Sequence, residues 1–197
     1  VRADSNIQTL DDLSGHTVSI GAEESGTERN ATQILEFAGM PSSLVATKNL
    51  DYIEATKELK AGDIDAFFCT AGLTTTVIDE LSKECDIRLI PLTDTVISKM
   101  LESSSAYTSE VIPAGTYTGQ DTAISTIGVK SVLITKSDVS DDTIEQLTSL
   151  LFEKENEISY SNSLKLELTY DFATDDIPIP FHDGAKRYYK ACGYSTN

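Results

Sequence analysis

The sequence predicts an α/β layer fold, and three observations carry that reading. Between Leu10 and Leu92 short apolar runs alternate with amphipathic segments, the grammar of strand and helix units. Two of the amphipathic segments open on capping residues and close on glycine. The 197 residues, 40% of them apolar, supply a core for one generous domain or two small ones.

Thr17-Val18-Ser19-Ile20-Gly21 reads as a buried strand. Ser25 and Glu28 then stand at the S-x-x-E spacing of a capping box, so a helix begins there. Ala31, Ile34, Leu35 and Ala38 form its apolar stripe, and Gly39 with Pro41 stops it. Asp51 and Glu54 open a second helix of about three turns, with Ile53, Thr56 and Leu59 facing inward and Gly62 closing. Ile64 to Cys69 is the next strand. Thr70-Ala71-Gly72 turns into a helix carrying Val77, Ile78 and Leu81. Ile87 to Leu92 reads as a third strand, and Val96, Ile97, Met100 and Leu101 mark a further helix.

Ser103 to Thr126 is rich in Ser, Thr and Gly and reads as a long loop, of the kind that is functional or a linker. Thr126 to Thr135 has the composition of a long strand. Ser140-Asp141-Asp142 caps a helix with Ile144, Leu147, Leu151 and Glu155 on successive turns, acidic at its start as the helix dipole prefers. A weaker helix is expected near Asn162 to Phe172, an extended stretch at Pro178-Ile179-Pro180, and a last helix from Asp183 to Cys192, stopped by Gly193.

Charge and composition exclude several classes. Fifteen Lys and Arg against 32 Asp and Glu give a net charge of −17, which opposes general binding to nucleic acid phosphates or anionic membranes. No apolar run approaches the ~18 residues of a spanning helix, and the start at Val1 has no signal-peptide pattern. Cys69, Cys85 and Cys192 share no CxxC spacing, and with only His16 and His182 they offer no zinc cage. Cys69, in its apolar strand, reads as buried packing. The aspartates at 138, 141 and 142, and at 171, 175 and 176, lack the glycine and terminal glutamate of a calcium loop. Ser25 lacks the first glycine of a nucleophile elbow, and Thr27 and Glu28 stand where a phosphate loop would carry its lysine.

The Ser25-Gly26-Thr27 turn holds most of the chemical information. A strand, then small residues, then a helix start leaves backbone amides and two hydroxyls beyond the carboxyl end of the sheet, a site for an anion or carboxylate. Ser25 equally serves as a simple helix cap. Thr70-Ala71-Gly72 is a second turn of the same kind, and side by side the two would line one crevice. Tyr117, in the glycine-rich loop, either covers a ligand or packs beside a hinge.

In those stretches the chain resembles the TAXI-type solute receptors of tripartite ATP-independent periplasmic (TRAP) transporters. The resemblance spans nearly the whole length. It rests on Leu10-x-x-Leu13-x-Gly15, Val18-Ser19-Ile20-Gly21 with Ser25-Gly26-Thr27-Glu28-x-Asn30-Ala31, and Ile64 to Phe68 with Thr70-Ala71-Gly72. Ile112-Pro113-Ala114-Gly115-Thr116-Tyr117-x-Gly119-Gln120-Asp121 and Ile177-Pro178-Ile179-Pro180-x-His182-x-Gly184-Ala185-x-Arg187-Tyr188-Tyr189 complete it.

The resemblance implies a type II periplasmic-binding-protein fold, two lobes joined by crossing strands, here Val1 to Ala3 and Val132 to Thr135. Similar receptors carry further chain before this point, after a signal or lipoprotein leader, so the first lobe is expected to be incomplete. Residues 1–125 would then form the second, ligand-binding lobe with the first crossing strand. Residues 126–197 would form the return strand and helices that pack on the first lobe. The implied ligand is a small carboxylate or an amino acid such as glutamate or glutamine, and the implied partners are the membrane subunits of a TRAP permease. Residence would be periplasmic or extracytoplasmic, and the full-length protein could carry a lipid anchor. Ser25, Gly26, Thr27, Asn30, Thr70, Ala71, Gly72, Thr74 and Tyr117 are the expected ligand-binding residues, with no catalytic residue, metal or cofactor. Thr118 departs from the pattern, standing where similar receptors often carry proline. A sensory ligand-binding module is the main alternative function, an acyl-transfer enzyme using Ser25 a third, and exposed core surface on a fragment would favour dimerisation.

Overall fold

In the computed structural model, which describes residues 1–153 and 168–196, the chain divides into two units, Val1–Gly128 and Val129–Asn197. The first is built on a three-stranded parallel sheet. β1 (Thr17–Ser19) lies at its centre, between β2 (Ala46–Lys48) and β3 (Ala66–Phe67), so that Val18 stands opposite both Thr47 and Ala66. Val18 and Ser19 are fully buried, as befits a parallel strand covered on both faces. β1 is shorter than its apolar run because Gly21, at φ 101°, turns the chain off the sheet. β2 was not expected: Ala, Thr and Lys carry no apolar pattern, and two of the three are exposed.

α1 (Gly26–Phe37) starts where the Ser25 and Glu28 spacing places it, with Ser25 Oγ accepting the Glu28 amide at 3.1 Å. The other half of the box differs, since the Glu28 carboxylate reaches past the cap to the Glu24 amide at 2.6 Å. Ala31, Ile34 and Leu35 are its buried stripe. α2 (Tyr52–Ala61) has both halves of the box between Asp51 and Glu54, and Gly62 ends it in the left-handed conformation. Its inward face is Ala55 and Leu59, not Ile53, which is 63% exposed. Ile53 sits two residues, about 200° of helical rotation, from Ala55 and so points away from the core.

α3 (Thr76–Glu84) buries Ile78 and Leu81, and α4 (Asp94–Ser103), capped by Thr93, buries Val96, Ile97 and Met100. Leu101 is left on its exposed side. One core cluster gathers Ile7, Leu10, Leu13, Val18, Ile34, Leu35 and Met100; a second gathers Ala55, Leu59, Ile64 and Leu81 beneath α2 and α3.

Two further expectations fail in this unit. Ile87–Leu92 is not a strand: it makes one antiparallel bridge, Ile87 to Arg2, and Pro91 has no amide with which to extend a ladder. The short pairing with Val1–Ala3 is reinforced by the Arg88 guanidinium, which donates to the carbonyls of Ala3, Ser5 and Ile7. The stretch 103–126, expected as one long loop, instead carries a strand on either side of a turn at 113–123. β4 (Tyr107–Ile112) pairs with β5 (Ile124–Val129) as a two-stranded sheet, and Gly128 permits the approach, since a Cβ there would lie 2.6 Å from Glu110 Cγ. The Gln120 side chain closes the intervening turn on the carbonyls of Pro113 and Thr122, each at 3.0 Å.

In the second unit, the strand expected to run to Thr135 ends at Val129, and the crossing strand expected at Val132–Thr135 has no regular structure; Leu133 and Ile134 are exposed. Without a pairing partner, β-branched composition alone does not make a strand. α5 (Asp141–Glu153), α6 (Tyr170–Thr174) and α7 (Asp183–Ala191) follow. Glu155 and residues 162–167 of the weaker predicted helix lie outside the described residues. α7 seats on the start of α5 at Gly184, where a Cβ would strike the Asp141 carbonyl, and Arg187 binds Asp142 and Glu145. Phe152 stacks on Tyr170 with ring centroids 4.3 Å apart. Leu147, on the expected stripe of α5, is exposed, while Ile144 and Thr148 are buried.

The corrected face of α2 makes a sharp contrast. Leu59→Ala should cost about 2–5 kcal/mol in denaturant unfolding, and Ile53→Ala should stay within about 0.5 kcal/mol.

Candidate functional site

Parallel pairing sends the carboxyl ends of β1, β2 and β3 to one edge of the sheet, and each strand leads there into a helix: α1, α2 and α3 respectively. The order β2-β1-β3 means that the chain leaves β1 on one side and returns on the other. The crevice between the ends of β1 and β3 is therefore the topological switch point, where open α/β sheets take their ligands. Ser25–Thr27 follows β1 and Thr70–Gly72 follows β3, so the two turns flank that crevice.

Tyr52, at the start of α2, ties them together. Its hydroxyl donates to the Thr70 carbonyl (2.9 Å), accepts from the Thr70 amide (3.1 Å) and lies 2.7 Å from Thr27 Oγ1. A phenol has one proton, and the carbonyl takes it, so Thr27 Oγ1 is the donor in the third bond. Asn30 Nδ2 donates to Thr70 Oγ1 at 3.4 Å, while Asn30 Oδ1 accepts from the Tyr107 hydroxyl at 2.9 Å. Asn49, after β2, donates to the Gly21 carbonyl and to Glu28 Oε1 (3.0 and 2.8 Å). Thr27, Asn30 and Thr70 thus share one network with Tyr52 and Tyr107, and Asn49 braces its β1 side. The sequence reading missed these last three residues. The one signal available was position: Asn49 and Tyr52 bracket the capped start of the helix after β2.

The crevice keeps donors in reserve. Gly26 and Thr27 are in the first turn of α1, and their amides have no acceptor among the described residues; such amides sit at the positive end of the helix dipole. Space beside Gly26 is open, since a Cβ there would meet nothing within 4 Å. Ser25 Oγ accepts from Glu28 and retains its own proton. Ala71 and Gly72 are exposed on the second turn, and Thr74 is half-buried at φ 59°, an uncommon conformation for a β-branched residue.

Tyr117 stands outside this network. It is 7% exposed, and its hydroxyl accepts from the Thr75 amide at 3.3 Å, seating the loop on the start of α3. Burial pushes its phenol above the ordinary value. Tyr117 also lines a cavity of about 510 Å³ that neither the Ser25 turn nor the Thr70 turn reaches.

His16, at the amino end of β1, lies 3.1 Å from Asp65 and on the edge opposite Ser25. His182 caps α7, accepting the Gly184 amide through Nδ1. Among the described residues no group of three or more His, Cys, Asp or Glu could hold a metal, and no helix is long and apolar enough to cross a membrane. All three cysteines are free, and burial pushes the Cys69 thiol up to about 11.

Compared with known families, residues 1–193 match the NMT1-like family.

The two glycines at the crevice should behave oppositely. Gly21→Ala combines a positive φ with a Cβ 2.7 Å from Thr27 Cβ and should cost about 2 kcal/mol or more. Gly26→Ala should be neutral or stabilise by about 0.4–1 kcal/mol; thermal unfolding of both variants checks the pair. Iodoacetamide at pH 8 should label exposed Cys192 well before Cys69, with Cys69 labelling accelerating as pH climbs towards 11. Peptide mapping reads the order.

Proposed function

We propose that this chain, which belongs to the NMT1-like family, is an extracytoplasmic solute receptor of the TAXI type that captures a small carboxylate or amino acid, glutamate-like or glutamine-like, and delivers it to the membrane subunits of a TRAP permease. The observation that carries the reading is the pair of turns, Ser25–Thr27 and Thr70–Gly72, placed across the switch-point crevice and linked through Tyr52. A ligand carboxylate meets the Gly26 and Thr27 amides and the Ser25 hydroxyl, with Asn30 and Thr74 flanking. The Thr27 hydroxyl, whose proton is committed to Tyr52, offers lone pairs and so suits an ammonium or amide group of the same ligand.

The net charge of −17 does not oppose this. Charges more than ~8 Å away are screened at physiological salt, whereas the local donors act at contact.

A thermal-shift screen of this chain against amino acids and mono- and dicarboxylates tests the proposal. At least one such solute should raise its melting temperature. Ser25→Ala should weaken that solute about tenfold, the scale of one hydrogen bond to a charged group, beyond the ~0.5–2 kcal/mol of stability lost with the cap. Silence from every solute, or unchanged affinity in Ser25→Ala, sinks it.

A further inference from the structure

The cavity of about 510 Å³ in the first unit lies between segments that the receptor crevice does not use: the amino-terminal stretch, Ile87–Pro91 and the turn from Tyr117 to Ile124. Its volume is in the range of small-molecule sites, roughly 300–1,000 Å³. Two of its lining residues are charged, Arg88 and Asp121, and they are opposite in sign. Among the described residues neither forms an ion pair, with the other or with anything else.

Arg88 is held rigidly and is only partly used. Nη1 donates to the Ser5 and Ile7 carbonyls (3.4 and 2.9 Å) and Nη2 to the Ala3 carbonyl (2.7 Å). A guanidinium carries five N–H groups, so Nε–H and one Nη2–H stay without an acceptor among the described residues. Two such donors on a planar, pre-organised group suit a carboxylate. Asp121, exposed on the turn, supplies a carboxylate for a cation. Ile87, Leu89 and Pro91 give the wall apolar area.

We infer that this cavity is a second small-molecule site, separate from the crevice at Ser25, for a zwitterionic amino acid with an apolar side chain. The ligand carboxylate takes the free donors of Arg88, the ammonium faces Asp121 and the side chain covers the Ile87–Pro91 wall. A dicarboxylate would bring a second negative charge to Asp121, and a simple amine would leave Arg88 unanswered, so both charges of the zwitterion are needed. The site does not depend on the receptor reading.

Isothermal titration of the 197-residue chain with L-leucine tests it, with N-acetyl-L-leucine and 3-methylbutylamine as probes lacking one charge each. The expected result is saturable leucine binding, weakened about tenfold or more by either charge deletion and by Asp121→Asn, and unchanged in Ser25→Ala. Arg88 also anchors Ala3 to Ile7, so its removal would confound binding with folding. Asp121 makes no structural bond among the described residues, and its variant carries the test for that reason. Absence of leucine binding, equal binding by the Asp121→Asn chain, or loss of leucine binding in Ser25→Ala would each overturn the assignment.

Discussion

Parallel hydrogen bonding between β1 and its two neighbours constrains nearly everything in the first unit. Parallel strands cannot be joined by a tight turn, so each connection must carry the chain back across a face of the sheet, and α1 and α2 are those crossovers. Val18 and Ser19, with no exposed area, show that both faces are covered. One consequence is geometric: all three carboxyl ends, and all three helix starts that follow, are forced to the same edge. Gly21 sharpens it. With φ at 101° and Thr27 packed where a Cβ would be, the chain turns off β1 at Gly21 and brings the first turn of α1 back against it, which holds the first amides of α1 beyond the strand end.

Tyr52 then converts proximity into fixed geometry. A net hydrogen bond contributes about 0.5–1.5 kcal/mol, so its bonds to Thr70 and Thr27 are modest as stabilisation. Their effect is on position. The Thr70 turn follows a strand of only two residues, which by itself would aim it loosely, and a phenol that bonds both the amide and the carbonyl of Thr70 fixes that residue's peptide planes. The same oxygen orients the Thr27 hydroxyl, while Asn30, oriented by Tyr107, approaches Thr70 from α1. Elements 18 to 77 residues apart in sequence meet in this way around one crevice.

What the sequence made legible was local. The starts of α1 and α2 follow from Ser25, Asp51 and Glu54 because a cap is decided within four residues, and Gly62 ends α2 for an equally local reason. What it concealed was pairing. Ala46–Lys48 became a strand because β1 offered an edge, while Ile87–Leu92 and Val132–Thr135, richer in strand-forming residues, found little or no partner. Tyr107–Ile112 hid in a polar stretch because its buried contacts come from β5 and α4. The inward face of α2 was misassigned for a related reason: in a helix of ten residues Ile53 and Ala55 both offer an apolar stripe, and only the packing of Leu59 against Ile64 and Leu81 chooses between them. Of the candidate site, the two turns were readable as strand, small residues and helix start. Tyr52, Asn49 and Tyr107 were not, since their roles exist only across the assembled sheet edge.

The acidity of the chain poses a problem at this edge, because Glu28 sits in the first turn of α1, where its carboxylate could occupy the very amides that a ligand would need. The structure resolves it by directing that carboxylate elsewhere. One oxygen takes the Glu24 amide and the other takes Asn49 Nδ2, whereas an ordinary capping box would turn the carboxylate onto the Ser25 amide. The left-handed conformation of Glu24, at φ 60°, is part of the same arrangement, since its amide is the one the carboxylate binds. Local strain and the Asn49 brace thus hold a neighbouring negative charge on donors of its own, and the amides of Gly26 and Thr27 stay open at the crevice.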